Sequence, residues 1–272
     1  MLSDITLGQY FPGNSIIHRF DARFKIIAMI FFIIGIFSAN SSIAYAAVVL
    51  ETVMIVVLSR LNVKVILKSL KPILFILAFT IVANLFLTKG EKAIMDIGFL
   101  EIYPEGIVYA FLMATRIVCL IVGTFVLLTY TTTPVSLTDA IERLLSPFSK
   151  IGLPVHEFSM MMTIALRFIP TLIEETQKII NAQKARGADF ESGSIVRRAK
   201  ALVPILIPLF VSAFRRADEL ASAMECRLYN GGEGRTRMKV MKARGEDFAF
   251  LMVFVLYAAL VVASRFVCEA VI

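Results

Sequence analysis

The chain has 272 residues, with 28 Lys+Arg against 21 Asp+Glu, 58% residues of the set AVILMFWYC and a mean hydropathy of +0.80. Average soluble domains are ~45–50% apolar even with Gly counted, and 18% charged residues are too few to cover an ordinary soluble surface. These values argue against a soluble globular enzyme, a disordered chain and a disulfide-stapled secreted domain. They leave an all-α polytopic membrane protein with one unusually charged region.

In chain order, the first 25 residues carry Asp4, Asp21 and several polar residues but no apolar core suited to a cleavable signal peptide. Five apolar stretches follow, at 26–39, 43–58, 72–88, 107–130 and 249–267. A helix needs about 20 residues to cross the hydrocarbon. The stretch 107–130 suffices and 249–267 nearly does. The first two are short and joined by Asn40-Ser41-Ser42, which reads as a tight hairpin or a partly re-entrant pair.

The basic residues suggest an orientation. Arg19, Arg23 and Lys25 precede the first stretch, and the 40–42 connection has no Lys or Arg. Arg60, Lys64, Lys68 and Lys71 follow the second stretch. The loop 89–106 has Lys89 and Lys92 against Glu91, Asp96, Glu101 and Glu105, whereas 131–248 holds 17 of the 28 basic residues. An N-terminus in the cytoplasm places every basic segment inside and every poor one outside. The expected organisation is a membrane domain at 1–130, a cytoplasmic block of long amphipathic helices at 131–248, and a last membrane helix at 249–272.

In the cytoplasmic block, Thr131-Thr132-Thr133-Pro134 breaks the preceding span, and Ser136-Leu137-Thr138-Asp139 caps a short amphipathic helix to about 150. Gly152-Leu153-Pro154 opens a second helix to about Arg186. Phe158, Met161, Met162, Ala165, Ile169, Leu172, Ile173 and Ile180 form one stripe on it, with Glu174, Glu175, Lys178 and Lys184 on other faces. Pro170 should bend it. A third helix covers about 194–228. Its segment 201–214, apolar on all sides with Pro204 and Pro208, is too short to span and reads as buried against the membrane domain or dipping into the bilayer surface. Beyond it Phe214, Ala217, Leu220, Ala221 and Met224 should face inward, with Arg215, Arg216, Asp218, Glu219 and Glu225 outward.

Two of these helices end alike, at Ala185-Arg186-Gly187 and Cys226-Arg227-Leu228. Ordinary termination explains one such end, because a cation in the last turn favours the helix dipole and Gly accepts a left-handed cap. Two similar ends on neighbouring helices suggest more. An Arg at a helix tip presents a planar fork suited to a carboxylate on another protein. If the two helices are antiparallel, their C-terminal ends lie far apart, so Arg186 and Arg227 would meet two partner subunits or two halves of a dimer.

Other candidate chemistry is sparse. Glu51 and Arg116 lie midway along apolar stretches, where charges are costly and usually paired; an ion pair between them is the structural reading and a substrate or ion path the functional one. Cys119, Cys226 and Cys268 form no Cys-x-x-Cys pair, and His18 and His156 have no neighbour at ligand spacing, so no metal site is expected. There is no P-loop and no catalytic constellation. The excess of 17 basic over 13 acidic residues in 131–248 fits positive-inside bias and attraction to membrane lipid, and nucleic acid is not an expected partner.

The segments Leu7-Gly8-Gln9-Tyr10-Phe11-Pro12-Gly13-Asn14-Ser15, His18-Arg19-Phe20-Asp21-Ala22-Arg23-Phe24-Lys25, Ala182-Gln183-Lys184-Ala185-Arg186-Gly187, and Ala223-Met224-Glu225-Cys226-Arg227-Leu228-Tyr229 with Gly231-Gly232-Glu233-Gly234-Arg235-Thr236-Arg237 resemble the transmembrane T component of energy-coupling factor (ECF) transporters. The likeness runs end to end, with Leu228 departing from a pattern that often has Gly there. The resemblance implies a non-enzymatic, all-helical scaffold in a prokaryotic cell membrane. It would join two ABC-type ATPase subunits, which hold ATP and Mg, to one substrate-binding membrane subunit for a vitamin or a metal ion. This chain would hold no cofactor. Ala185, Arg186, Gly187, Cys226, Arg227 and Leu228 would dock in the two ATPases. Met160, Met161 and Met162, with Leu206 and Phe210 of the apolar 201–214 segment, are candidates for a repackable surface toward the substrate-binding subunit, a core position being the plainer reading of each. The competing function is a self-contained permease, whose polar site would have to come from Glu51, Asn84 and Arg116.

Overall fold

The computed structural model describes residues 10–88, 95–97, 100–188, 190, 194–231, 241 and 243–267. Leu7-Gly8-Gln9, Lys89, Glu91, Lys92, Gly232 to Arg237 and Cys268 lie outside the described residues. Among the described residues the chain is all-α apart from a two-stranded antiparallel sheet of β1 (Met95–Ile97) and β2 (Leu100–Ile102). It divides into two compact units, one of residues 8–137 with 241–272 and the other of 138–240.

The first unit holds α1 (Ile16–Arg19), α2 (Ala22–Ser38), α3 (Ser42–Ser59), α4 (Val63–Leu70), α5 (Leu74–Leu87), α6 (Pro104–Thr124) and α10 (Gly245–Val267). Four segments among the described residues are long and apolar enough to cross a membrane: Ser42–Ser59, Val63–Phe86, Pro104–Tyr130 and Gly245–Arg265. Helix α2 is equally apolar but has 17 residues, ~26 Å of helix, a little under the ~30 Å of hydrocarbon. The α2–α3 connection is a tight hairpin of two long helices, in which Ser41 Oγ caps α3 by accepting from the Ala44 amide at 3.2 Å. The third span starts earlier than hydropathy alone suggests, because α4 and a short 3-10 turn at Lys71–Ile73 lead helically into α5.

The core of this unit lies among α2, α3, α6 and α10, and the seam between α2 and α10 is its most extensive contact. Phe24 meets Phe248, Phe32 meets Phe254 and Tyr257, and Tyr257 covers Gly35. Residue numbers rise together along both helices, so α2 and α10 run in the same direction. Their N-termini are tied by carboxylates: Asp247 accepts from the Asp21 amide at 2.9 Å and from the Arg244 amide at 2.7 Å, while Asp21 caps α2 and pairs with Arg23 at 2.6 Å. Helix α6 ends in a π-helical turn, Phe125–Tyr130, against which the N-terminal segment lies through Phe11 N–H to Tyr130 O at 3.1 Å. His18 holds that segment in place, contacting Ser15 Oγ at 2.6 Å and Phe11 O at 2.9 Å.

The second unit contains most of α7 (Pro134–Leu145), a 3-10 turn at Ser146–Ile151, α8 (Val155–Ala185) and α9 (Ile195–Cys226). The buried Glu142 carboxylate of α7 meets His156 Nδ1 in the first turn of α8 at 3.0 Å. Helices of 31 and 32 residues are ~46 and ~48 Å long. Pro170, Pro204 and Pro208 all lie inside them without ending them.

Candidate functional site

Helices α8 and α9 meet through Glu175, which accepts a short hydrogen bond from Ser212 Oγ and a 2.7 Å bond from Arg216 Nη2. Beside this contact, Ile164, Phe168 and Leu172 of α8 and Ala217, Leu220 and Met224 of α9 line one apolar groove of about 290 Å³. As the numbering rises from 164 to 175 on α8, it falls from 224 to 212 on α9. The helices are therefore antiparallel, and their C-terminal ends point in opposite directions.

The two ends have one architecture. After α8, Arg186 is the C-cap, Gly187 turns left-handed at φ +85°, the Gly187 amide donates to Lys184 O at 3.0 Å and the Ala188 amide to Gln183 O at 3.0 Å. After α9, Leu228 takes the left-handed turn at φ +55°, its amide donates to Glu225 O at 2.9 Å and the Tyr229 amide to Met224 O at 3.0 Å. Both are Schellman closures, which satisfy the last carbonyls of a helix through one left-handed residue. Arg227 occupies in the second the place of Arg186 in the first. Ala185, Arg186, Gly187, Cys226, Arg227 and Leu228 are all exposed, Leu228 at 89%. Each tip places an exposed Arg at the negative end of a helix dipole.

Several expectations are corrected by the packing. Arg216 does not point outward but joins Glu175, and Glu175 is not on an idle face but at the centre of the helix pair. Phe214, expected inside, is 69% exposed. Of the stripe read on α8, Leu172 packs toward α9 beside Ile164 and Phe168, which lay outside it, Phe158 and Met162 line a small cavity against α7, and Met161 and Ala165 are exposed. Within its own unit the segment 201–214 buries Ile205 and leaves Leu206, Ile207, Phe210 and Val211 exposed. Met161 and Met162 are exposed and Met160 half-buried. The five residues Met160, Met161, Met162, Leu206 and Phe210 thus form no closed core.

Glu51 and Arg116 are both in the first unit but do not pair. Arg116 Nη2 donates to Ala39 O, the C-cap of α2, at 2.6 Å, and its guanidinium lies 5.4 Å from the centre of the Tyr45 ring. Glu51 is buried, with Oε1 lacking a hydrogen-bond partner. Asn84 donates within its own helix, to Thr80 O at 2.9 Å. The three polar groups a permease would need do not converge.

The sequence offers Lys25 as an orienting charge and as the last residue of the segment His18 to Lys25; the fold buries it. It is 1% exposed, and its Nζ donates to Thr131 O at 3.0 Å and contacts Thr132 Oγ1 at 3.2 Å. Among the described residues no group of His, Cys, Asp and Glu is arranged to hold a metal ion.

A profile of the CbiQ family, described as a cobalt transport protein, matches residues 13–238. Similar proteins named energy-coupling factor transporter transmembrane protein EcfT occur in Ruminiclostridium cellulolyticum, Clostridium kluyveri and Bacillus subtilis. The first is 54% identical, with 98% of this chain and 99% of the relative covered. The second is 51% identical over 97% and 98%, and the third 46% identical over 96% and 98%. With a matching profile over most of the chain and relatives aligned nearly end to end, this chain belongs to the CbiQ/EcfT family of ECF transporter transmembrane components.

Proposed function

We propose that this chain is the coupling scaffold of an ECF-type ABC importer in a prokaryotic cell membrane, with its N-terminus and the α8–α9 unit in the cytoplasm. Two ATPase subunits hold ATP and Mg and dock on the Arg186 and Arg227 tips, and a separate membrane subunit binds a vitamin or a metal ion. The observation that carries this reading is the pair of matched, exposed Arg C-caps at the two opposite ends of an antiparallel helix pair. ATP binding draws the ATPases together, the tips follow, and the Glu175–Arg216 crossing turns their approach into movement of one helix against the other. The exposed face with Met161, Leu206 and Phe210 is where that movement reaches the substrate-binding subunit. The orientation is supported by the distribution of Lys and Arg and by the common direction of α2 and α10, as five crossings require of the first and last.

The test is purification from native membranes in mild detergent, with the co-purified proteins identified and ATPase activity measured, beside Arg186→Glu and Arg227→Glu. Two ATPase subunits recovered with the wild type and lost or uncoupled in each reversal support the reading. A bare chain that moves a solute when reconstituted alone overturns it in favour of a permease.

A further inference from the structure

Helix α4 lies beside α6, and between them and the start of α5 runs an open groove of about 510 Å³, within the range of small-ligand pockets (about 300–1,000 Å³). One end is lined by Lys64, Lys68 and Lys71, all exposed, and its wall by Leu77, Val118 and Ile121. The lysines follow one another at four- and three-residue steps, which puts them on one face of the helical lead-in. No carboxylate lines the groove, and the three ammoniums have no ion pair among the described residues. Only 6% of the Val63–Phe86 window is buried within the chain, so this groove opens to whatever surrounds the protein.

The sequence of surfaces is cationic at the end of the span, then purely aliphatic toward its middle. That is the polarity order of a phospholipid whose headgroup carries net negative charge. We propose that the α4–α6 groove is a binding site for one anionic phospholipid, its phosphate held by Lys64, Lys68 and Lys71 and an acyl chain lying along Leu77, Val118 and Ile121. A zwitterionic lipid offers the same chain but no net charge to three ammoniums, so the lysines select the anionic headgroup. The site rests on the proposed orientation, which puts the lysines at the cytoplasmic leaflet where anionic lipids act on basic segments.

The chain has no tryptophan, so Leu74→Trp at the groove is a sole reporter, and Leu256→Trp on α10, outside the groove, is its reference. The full chain carrying one or the other is reconstituted in phosphatidylcholine nanodiscs with brominated phosphatidylglycerol or brominated phosphatidylcholine as quencher. Brominated phosphatidylglycerol is expected to quench the groove reporter preferentially and the reference reporter without preference. The preference should fall about fivefold for each Lys→Gln change at 64, 68 and 71, and inorganic phosphate should not displace the lipid. Equal quenching by the two lipids, a preference unchanged in the triple variant, or displacement by inorganic phosphate overturns the site. Loss of quenching in the complex with its co-purified subunits, while the isolated chain is quenched, identifies a protein as the occupant and overturns it equally. Nanodisc binding does not depend on sidedness, which is read separately by labelling the exposed Cys226 from each face of sealed vesicles.

Discussion

Gly187 and Leu228 occupy the same left-handed position in two Schellman closures, one after α8 and one after α9. Glycine enters that region freely, whereas an L-residue with a Cβ is disfavoured by roughly 1–2 kcal/mol. Leu228 gains nothing in compensation within the chain, being 89% exposed. On the proposed function, this strained, exposed leucine beside Arg227 lies on the surface that docks an ATPase subunit. Leu228→Gly should raise the thermal stability of the isolated chain by about 1 kcal/mol while weakening ATPase co-purification. The mirror change, Gly187→Leu, should lower stability by about 1 kcal/mol. Calorimetry of each variant, beside the pull-down, separates the two effects.

Arg116 and Glu51 act independently. Removing Arg116 leaves the Ala39 carbonyl without its 2.6 Å donor, a loss of about 1–3 kcal/mol. Removing the uncompensated Glu51 carboxyl, as Glu51→Gln, should be neutral or stabilising. A double-mutant cycle of Arg116→Ala and Glu51→Ala in thermal unfolding should give a coupling near zero. A coupling of 1 kcal/mol or more would restore an ion pair between them.

Two glycines set how closely the membrane helices approach. A Cβ on Gly123 would overlap the Phe32 ring, and one on Gly35 the Tyr257 ring. Gly123→Ala and Gly35→Ala should each cost about 1–3 kcal/mol by overpacking, measured as a fall in Tm. Phe32→Leu should recover part of the first loss and none of the second.

The Glu175–Arg216 contact is a partly exposed, charge-assisted pair at 2.7 Å. Solvent screening limits its coupling to about 1 kcal/mol. Glu175→Gln and Arg216→Gln should therefore unfold at nearly the wild-type temperature. In the assembled transporter they should lower substrate uptake per ATP hydrolysed severalfold, because the crossing can slip. Unchanged coupling of uptake to hydrolysis would remove this contact from the transmission path.

Hydropathy and the placement of Lys and Arg already contain the apolar segments, the long amphipathic helices at 155–185 and 195–226, and the two Arg-tipped ends, because each depends on residues a few positions apart. The left-handed Leu228 is local too, but only its amide bonds to Glu225 and Tyr229's to Met224 reveal that a leucine does what Gly187 does. Long-range partners were not legible. The face of α8 that packs on α9 was legible only in part, Leu172 lying in the predicted stripe and Ile164 and Phe168 outside it, since a 31-residue helix with apolar residues on several sides has more than one plausible stripe and its antiparallel partner selects among them. Glu175 found Ser212 and Arg216, Arg116 found a backbone carbonyl instead of Glu51, and Lys25 found the two threonines past a π-turn. A buried charge takes the nearest oxygen the fold brings to it, and which oxygen that is depends on helix register and tertiary packing, which no sequence period encodes.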